Sequence, residues 1–424
     1  MKILWICNVM LPAISNLLGI HAVPYGGWLT GAMNGLNKSE RKIRLGVCCP
    51  FDNGKEVEKY SIDNIAYYNF PSRREYITDY SWYQPWFRSI FNDFKPDILH
   101  IFGTEFSHSL AAAKAFANPD RTLVSIQGLC SEIAKYYFSQ LPLHVSHGFN
   151  LRDVLRRDTL VVQRNSFISR GENEIKLLRA VGHVSGRTDW DKACTMQINP
   201  KLNYHFCNET LRESFYSDRW QLEKCEKHSI FASSCSYPIK GFHILLEAMP
   251  EILRRFPDAK IYVTGLNPYD IPIYKLPAYA KYLRRLINQN GLRETVNFCG
   301  TLDEQQMKDQ YLKSNVFVLP SLIENSPNSL GEAMLLGVPC VAADVGGVSN
   351  LMTHGQDGLV YQHNAANMLA HYVCEIFENE TLARTFSDNA AQHAETTYHP
   401  EVNAQKLMEI YETILEVDKN AERH

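Results

Sequence analysis

One stretch in the last third of the chain, residues 314–350, constrains the fold more than any other part of the sequence. An apolar run of strand length at 316–319 is followed by a loop and by a helical pattern over 327–336. Ser326 is placed to cap this helix, and a proline stands at its first position. A second apolar run covers 338–343. This order predicts a β-α-β unit, in which ligands bind beyond the carboxyl ends of the strands.

Two carboxylates bracket the start of the predicted helix. Glu324 lies in the loop, and Glu332 follows eight positions later on an otherwise apolar helix face. A carboxylate on such a face is costly unless it has a partner. In one interpretation each carboxylate accepts hydrogen bonds from vicinal sugar hydroxyls at one end of a ligand. In the other, Glu324 is a solvated loop residue and Glu332 lies on the exposed back of the helix.

The start of the helix itself offers backbone donors to negative charge. The free N–H groups and the dipole of a helix N-terminus favour phosphate. Because Pro327 has no N–H, the donors at this turn are expected to be Ser326, Asn328 and Ser329. Hydroxyl-binding carboxylates on both sides of a phosphate site imply a nucleotide sugar as the ligand.

This stretch resembles the E-x7-E signature of the retaining glycosyltransferases of family 4, which have the GT-B fold. The similarity continues through GEAMLLGVPCVAADVGGVSNLM and through HGQDGLV at 354–360. The resemblance implies two Rossmann-like α/β domains that face each other across a cleft, with the nucleotide sugar in the C-terminal domain and the acceptor in the N-terminal one. It also implies transfer with retention at the anomeric carbon, without a metal or another cofactor, and with Glu324 as the catalytic carboxylate.

The domain boundaries follow from a change in composition. Residues 208–227 are polar and charged and are expected to lead to the linker. We therefore predict an acceptor-binding domain at 1–225, a nucleotide-sugar-binding domain at 226–400, and a C-terminal helix at 401–424 that crosses back to the first domain. Strands are expected at 2–7, 45–49, 65–70, 98–102, 122–127, 229–233, 260–265 and 295–298, with a further short strand that ends at 185–187, and helices at 89–94, 107–116 and 402–417.

The N-terminal half carries candidate ligand residues where predicted strands end. Gly26 and Gly27 stand between a strand and a helix, and they resemble the glycine loop beside the donor phosphates and the acceptor in GT-B transferases. His100, Glu105 and Gln127 are placed near strand ends and are predicted to lie on the acceptor side. Many family members have a histidine in the place of Gln127. A lone histidine such as His100 can equally be a structural residue.

Cations for the leaving diphosphate are expected at two places. Lys240 lies in a strand-to-helix turn, where an ammonium group can neutralise phosphate. The family usually also has an arginine five or six residues earlier, but Cys235 and Ser234 occupy those positions here. Arg187 is our candidate for the second cation. Thr301 belongs to a Gly-Thr-Leu turn that resembles the one whose backbone meets the nucleotide base in relatives.

An unusual basic and aromatic segment occupies residues 129–170. Its apolar residues have a roughly helical spacing with arginines and histidines between them. Such a pattern is typical of a face for an anionic membrane or an anionic acceptor. A solvated helical insertion packed on a domain accounts for it equally well.

Composition bounds the remaining possibilities. With 424 residues, 45% of them hydrophobic, the chain can form two full cores. A net charge of −3 gives no signature of nucleic-acid binding. The 11 cysteines favour reduced core residues of a cytoplasmic protein. Because no run of apolar residues reaches the length of a membrane span, a membrane contact would be peripheral to the inner face.

The resemblance therefore implies a hexosyltransferase that moves a sugar from a UDP- or GDP-sugar to a glycan or lipid-linked glycan. Two other functions stay open at this point. A nucleotide-sugar epimerase on the same fold would show further acid and base residues around the sugar. A non-catalytic sugar-binding protein would show an export signal.

Overall fold

The computed structural model describes residues 1–20, 26–37, 43–52, 54–72 and 79–421, with side chains up to residue 416. The strands are β1 Lys2–Ile6, β2 Arg44–Phe51, β3 Glu58–Ile62, β4 Ile65–Pro71, β5 Ile98–Phe102, β6 Thr122–Ser125, β7 His183–Gly186, β8 Asn203–Phe206, β9 Glu226–Ala232, β10 Lys260–Thr264, β11 Val296–Gly300, β12 Ser314–Leu319, β13 Cys340–Asp344 and β14 Leu359–Gln362.

The helices connect these strands and end the chain. They are α1 Pro12–Leu17, α2 Gly27–Asn37, α3 Gln84–Phe94, α4 Ser107–Phe116, α5 Cys130–Tyr136, α6 Leu143–Ser146, α7 Leu151–Arg156, α8 Leu160–Leu178, α9 Asp189–Ile198, α10 Phe242–Arg255, α11 Ala278–Gln289, α12 Glu304–Lys313, α13 Asn328–Leu335, α14 Val348–Leu351, α15 Ala366–Glu378, α16 Glu380–Thr397 and α17 Pro400–Ala421. Among the described residues, none of these helices is both long and apolar enough to cross a bilayer.

The chain divides into two compact units. The first unit comprises residues 1–134, 166–211 and 398–424, and the second comprises 135–165 and 212–397. The second unit thus takes in a segment from the predicted N-terminal domain, and the two later changes of unit fall after residue 211 and after residue 397. The functional roles assigned to the two predicted domains stay predictions.

The first unit is built on an eight-stranded sheet with the order β3-β4-β2-β1-β5-β6-β7-β8, parallel except for the edge strand β3. Alternate residues of β1 enter different cores, as the period of a strand requires. Leu4 and Ile6 pack with Phe87 of α3, whereas Trp5 packs with residues of α2 and α17. The sheet is therefore covered on both faces, which is the arrangement of a Rossmann-like layer.

The C-terminal helix returns to the first unit, as the sequence predicts. Helix α17 packs against α2, and Trp5 Nε1 donates a hydrogen bond to Tyr411 Oη at 2.9 Å. At the contact a Cβ atom on Gly35 would lie 2.7 Å from Ala404 Cβ, so the two helices approach through small residues.

The second unit is built on a six-stranded parallel sheet with the order β11-β10-β9-β12-β13-β14. The chain runs outward from β9 in one direction and from β12 in the other, so the switch point lies between these two strands. Ligands bind at such a point, beyond the carboxyl ends of the strands. The loops after β9 and β12 are the ones that carry Lys240 and Glu324. Two parallel α/β layers and the returning helix confirm the predicted fold class.

Candidate functional site

The loop after β12 is held in place by the turn before α10. The N–H of Leu322 donates to the carbonyl oxygen of Ile239 at 2.8 Å. Gly241 has a φ of +67°, and a Cβ atom there would lie 1.7 Å from the carbonyl oxygen of Pro320. Only glycine fits this position, because a side chain would collide with the backbone and is disfavoured at positive φ. The contact fixes the two loops of the switch point against each other.

Lys240 and Glu324 meet where these loops touch. Lys240 Nζ lies 2.6 Å from Glu324 Oε1, which also accepts a hydrogen bond from Ser321 Oγ at 2.7 Å. The lysine side chain is 34% exposed and the glutamate side chain 11%, so the pair is open on the lysine side. Two residues that the sequence places 84 positions apart are therefore brought into one ion pair.

A glycine turn after β13 supports Glu324 from behind. The N–H of Gly347 donates to the carbonyl oxygen of Glu324 at 3.1 Å. Gly346 has a φ of +53°, and a Cβ atom there would lie 1.8 Å from the same oxygen. In the sequence these glycines only mark the end of a strand. The structure shows that they allow the backbone of the Glu324 loop to approach closely.

Helix α13 begins one residue later than predicted. Pro327 has an extended ψ of 115° and occupies the N-cap position, where its carbonyl oxygen accepts from the N–H of Leu330 at 3.0 Å. Ser326 therefore lies outside the cap, and no side chain caps the helix. The prediction that Ser326 caps the helix is wrong, because the fixed φ of Pro327 suits the cap position as well as the first turn.

The start of α13 leaves buried polar atoms without partners. Ser326 is 8% exposed, and neither its Oγ nor Asn328 Oδ1 has a hydrogen-bond partner. The backbone N–H groups of Asn328 and Ser329 lie in the first turn, where helix geometry provides no acceptor. Buried polar groups in native proteins are normally paired. This turn therefore has unused hydrogen-bonding capacity. The ligand contacts of Ser326, Asn328 and Ser329 stay a prediction.

Glu332 is buried and bound by an arginine that the sequence analysis missed. Arg212 Nε and Nη2 donate to the two carboxylate oxygens of Glu332 at 2.8 and 2.7 Å. The guanidinium also lies over the ring of Phe215, 4.4 Å from its centroid. Burial raises the pKa of Glu332, and Arg212 opposes this shift. The bidentate contact uses one lone-pair position on each oxygen and leaves the others for further donors.

The position where relatives carry a second cation is packed rather than open. Cys235 is 3% exposed, and a Cβ atom on Gly265 would lie 2.8 Å from its Sγ. Thr301, in contrast, is exposed and follows Gly300, whose carbonyl oxygen accepts from the N–H of Gly265 at 2.9 Å. The turn proposed to meet the base is thus tied by its backbone to the end of β10.

In the first unit, the glycine pair lies at the start of α2. Gly26 has a φ of +93°, and a Cβ atom there would lie 2.7 Å from Val9 Cγ2. Gly27 is the first residue of the helix. A side chain at Gly26 would be strained and crowded, so this glycine has a local structural reason besides the predicted contact with the donor.

Arg187 and Gln127 meet at a shared carboxylate. Arg187 is 4% exposed, forms an ion pair with Glu209, and donates from Nη2 to the carbonyl oxygen of Ile126 at 3.0 Å. Gln127 Nε2 donates to Glu209 Oε1 at 2.6 Å. Arg187 and Glu209 line a small cavity of about 40 Å³ together with His100. Sequence reasoning missed Glu209, which lies in the polar stretch assigned to the linker approach.

His100 is integrated into the core of the first unit. Its Nδ1 lies 2.7 Å from Tyr411 Oη, and its Nε2 lies 2.7 Å from Ser125 Oγ. Complete burial lowers the pKa of His100 to about 3, so the ring is neutral at physiological pH. Both nitrogens already have partners, which matches the structural interpretation of this residue, while its predicted acceptor role stays a prediction.

Glu105 follows β5 and folds back over Gly103. Its Oε2 accepts from Asn8 Nδ2 at 3.3 Å, and Arg170 Nε donates to its backbone carbonyl at 2.6 Å. Burial raises the pKa of Glu105 to about 7, with the nearby Glu174 acting in the same direction and Arg170 opposing it. The first unit therefore contains a carboxyl group that changes charge near neutral pH at the end of a central strand.

Within the described ranges, no group of three or more His, Cys, Asp or Glu side chains is arranged to bind a metal ion. The predicted site residues separate into two sets. Lys240, Glu324 and the start of α13 lie together in the second unit, and Glu332 follows in the same helix. Arg187, Gln127 and His100 lie together in the first.

Residues 215–393 match the family model described as glycosyl transferases group 1. An uncharacterized glycosyltransferase of Methanocaldococcus jannaschii is 28% identical over 253 residues, which cover 59% of this chain and 57% of the relative. The D-inositol 3-phosphate glycosyltransferase of Corynebacterium urealyticum is 26% identical over 188 residues, 44% of this chain and 43% of the relative. The chain thus matches about half the length of these curated relatives.

Solved structures show the same fold over nearly the whole chain. Sucrose-phosphate synthase from Thermosynechococcus elongatus superposes with a TM-score of 0.71 at 15% identity, covering 98% of this chain and 100% of that one. HepE from Anabaena, in complex with UDP and glucose, superposes with a TM-score of 0.64 at 16% identity, covering 97% and 99%. At these identities the likeness concerns the fold alone.

Proposed function

Because residues 215–393 match the glycosyl transferases group 1 model and the chain has a GT-B-like fold, we propose that it transfers a sugar from a nucleotide-sugar donor to an acceptor with retention of anomeric configuration. The observation that carries this proposal is the convergence of Lys240, Glu324 and the unpartnered start of α13 at the switch point of the second sheet. A cation, a carboxylate and free backbone donors are what a sugar diphosphate requires.

In this proposal the donor diphosphate binds between Lys240 and the first turn of α13. Charge develops on the leaving diphosphate as the glycosidic bond breaks, and fixed donors stabilise it without reorganisation. The donor would separate Lys240 from Glu324, so that the lysine binds phosphate and the glutamate binds hydroxyls of the transferred sugar. Glu332 would accept hydrogen bonds from the ribose with the lone pairs that Arg212 leaves free.

The donor is proposed to be a UDP- or GDP-sugar. One structural neighbour is in complex with UDP and glucose, and a curated relative from Mycobacterium tuberculosis, 27% identical over 158 residues, is named as a GDP-mannose-dependent mannosyltransferase. We propose that transfer needs no metal, because Lys240 and the helix N-terminus supply the positive potential for the diphosphate. Arg187 is proposed as a further cation, and Thr301 and the Gly26-Gly27 turn as further donor contacts.

The acceptor is proposed to be a glycan or a lipid-linked glycan, as in polysaccharide biosynthesis, bound through the first unit near Glu105, Gln127 and His100. With a lipid-linked acceptor, the enzyme would act on the cytoplasmic side and contact the inner face of the membrane peripherally.

A panel of nucleotide sugars, each incubated with and without candidate acceptors, tests the proposal. Release of free nucleoside diphosphate that depends on an acceptor supports transfer. Isomerised donor without release indicates the epimerase, and binding without either product indicates a sugar-binding protein. The anomeric configuration of the product, read by NMR, tests retention.

A further inference from the structure

Helix α7, Leu151–Arg156, exposes its apolar side chains and buries an acidic one in the second unit. Its apolar residues Leu151, Val154 and Leu155 are spaced as one helix face, and all three are exposed. Asp153 lies on the opposite side of the helix and is 2% exposed. A short amphipathic helix normally buries its apolar face and exposes its acid. Because α7 has the opposite arrangement, packing within the second unit does not explain why one face of this helix is apolar.

A polar network holds the helix in this orientation. Asp153 Oδ2 accepts from Asn150 Nδ2 at 2.7 Å and from the N–H of Ala278, at the start of α11, at 2.8 Å. Asn150 Nδ2 also donates to the carbonyl oxygen of Leu276, and Asn150 Oδ1 accepts from Lys281 Nζ at 2.7 Å. Turning the leucines inward would break four hydrogen bonds of buried groups, each costly to leave unmade.

The exposed apolar surface extends beyond α7. Phe149 is 81% exposed, Leu143 is 79% exposed, and Leu155 of the helix is 75% exposed. Isolated exposed apolar residues are ordinary, but several large ones within residues 143–155 favour an interaction surface. We call the side chains of Leu143, Phe149, Leu151, Val154 and Leu155 the apolar patch.

Positive charge accompanies the apolar patch. Residues 135–165 contain five lysines and arginines against two aspartates, in a chain whose net charge is −3. Arg152 contacts both aspartates, Asp153 at 2.6 Å and Asp158 at 3.1 Å. Arg156 and Arg157 are exposed, and among the described residues neither forms an ion pair with an acid. Lys281 and Arg285 line the adjoining groove of about 180 Å³.

We propose that the apolar patch, with Arg156 and Arg157, docks on a membrane surface that contains anionic lipid. The apolar side chains would enter the boundary between headgroups and acyl chains, while the arginines stay at the level of the lipid phosphates. Charge complementarity favours an anionic bilayer over a second copy of this acidic chain. The inference deepens the peripheral membrane contact of the proposed function by naming its surface.

Flotation with vesicles of phosphatidylcholine, with and without phosphatidylglycerol, tests the proposal on the full chain. The wild-type protein should float with the anionic vesicles and much less with the neutral ones. Leu155→Ser and Phe149→Ser should each lower the partition coefficient about tenfold, because each removes a large apolar side chain from the bilayer. Arg156→Glu and Arg157→Glu should each lower it at least about fivefold on anionic vesicles alone.

Val402→Ser is the matched control, since Val402 is 58% exposed but lies in α17 of the first unit. It should float like the wild type. Equal flotation of the wild type and the patch variants overturns the proposal, as does equal binding to neutral and anionic vesicles. Loss of a wild-type dimer in Leu155→Ser, seen by light scattering without vesicle binding, would assign the patch to a second copy instead. The transfer assay with a soluble acceptor is separate, so vesicle binding without transfer would refute only the proposed enzyme activity.

Discussion

The polar strand ends of the two units differ in how much of their hydrogen-bonding capacity the chain itself uses. In the first unit, His100 has a partner at each nitrogen, and Arg187 and Gln127 both bind Glu209, although Arg187 Nε is buried without a partner. In the second unit, the loop after β12 leaves Ser326 Oγ and Asn328 Oδ1 buried without partners. Polar residues at a strand end therefore do not by themselves indicate a ligand. The unpartnered polar atoms at the start of α13 are the additional observation that favours a ligand there.

Glu324 and Glu332 differ in a similar way within the second unit. Glu324 is bound by a half-buried lysine that can move toward solvent, whereas Glu332 is held by both arms of a guanidinium. A lysine offers one point charge on a flexible chain, and an arginine offers a rigid fork. We therefore expect Glu324 to change partners during the reaction and Glu332 to stay fixed.

The largest effect is expected for Glu324→Gln. If Glu324 acts on the transferred sugar as charge develops at the anomeric carbon, its loss should lower kcat by about a hundredfold to a thousandfold. The affinity for nucleoside diphosphate should stay within about twofold of wild type, since this carboxylate does not bind the nucleotide. Steady-state kinetics and calorimetry measure the two quantities. Near wild-type turnover would contradict the role of Glu324 in the transfer step.

A smaller effect, and on a different quantity, is expected for Glu332→Ala. Loss of a charge-assisted hydrogen bond to the ribose should weaken nucleoside diphosphate binding by roughly tenfold to a hundredfold. The variant also leaves Arg212 buried without its partner, which should lower the free energy of unfolding by about 3–5 kcal/mol. Calorimetry and denaturant unfolding measure these changes.

The double variant Arg212→Met/Glu332→Leu separates the two consequences. It removes both charges and should regain most of the stability, because an apolar pair can replace a buried ion pair. It should not regain nucleotide affinity. If affinity returns together with stability, Glu332 supports the fold of the site and does not bind the ribose.

The sequence predicts the parts of the site that depend on residues close in sequence, but not the contacts between residues far apart in sequence. The β-α-β unit around Glu324 is readable because apolar runs, glycines and prolines mark its elements locally. The contact of Arg212 with Glu332 is not predictable from the sequence, because the two residues are 120 positions apart and Arg212 lies in a polar stretch without a pattern. The sequence does not predict strands β3, β8 and β14 for a related reason. All three lie at sheet edges and expose alternate or terminal residues, so they lack a long apolar run.

Helix α7 also shows that contacts between residues distant in sequence are not predicted. The pattern of residues 129–170 is typical of a membrane or acceptor face, but Asp153 gives no local sign that it binds the start of a helix 125 positions away. Only the structure shows which side of α7 is fixed. Position 235 is similar, because the sequence shows a missing arginine but not that the cysteine there is buried.

A moderate effect is expected for Arg187→Ala. If this guanidinium supplies the second cation, the dissociation constant of the donor should rise about tenfold, and kcat less. Glu209→Gln is the matched control, because it breaks the same ion pair but keeps the cation. Ser234→Arg, at a half-exposed position beside the buried Cys235, should recover part of the donor affinity when it is added to Arg187→Ala. An equal loss in Glu209→Gln would assign the effect to the packing of the first unit and not to phosphate.

The smallest effect concerns the pH dependence of stability at Glu105. Burial raises the pKa of this carboxyl from an ordinary 4.5 to about 7, so the folded protein holds the proton more tightly than the unfolded chain. Its contribution to stability is then fully present below pH 4.5 and is lost as the pH rises through about 7. Glu105→Gln keeps a neutral side chain throughout and should flatten this part of the curve. Because Glu174 and Glu332 also have raised pKa values, the difference between the wild type and the variant, measured by denaturant unfolding at each pH, isolates the contribution of Glu105. A difference that does not change between pH 4.5 and 7 would show that Glu105 ionises normally in the folded state and is open to water at the end of β5.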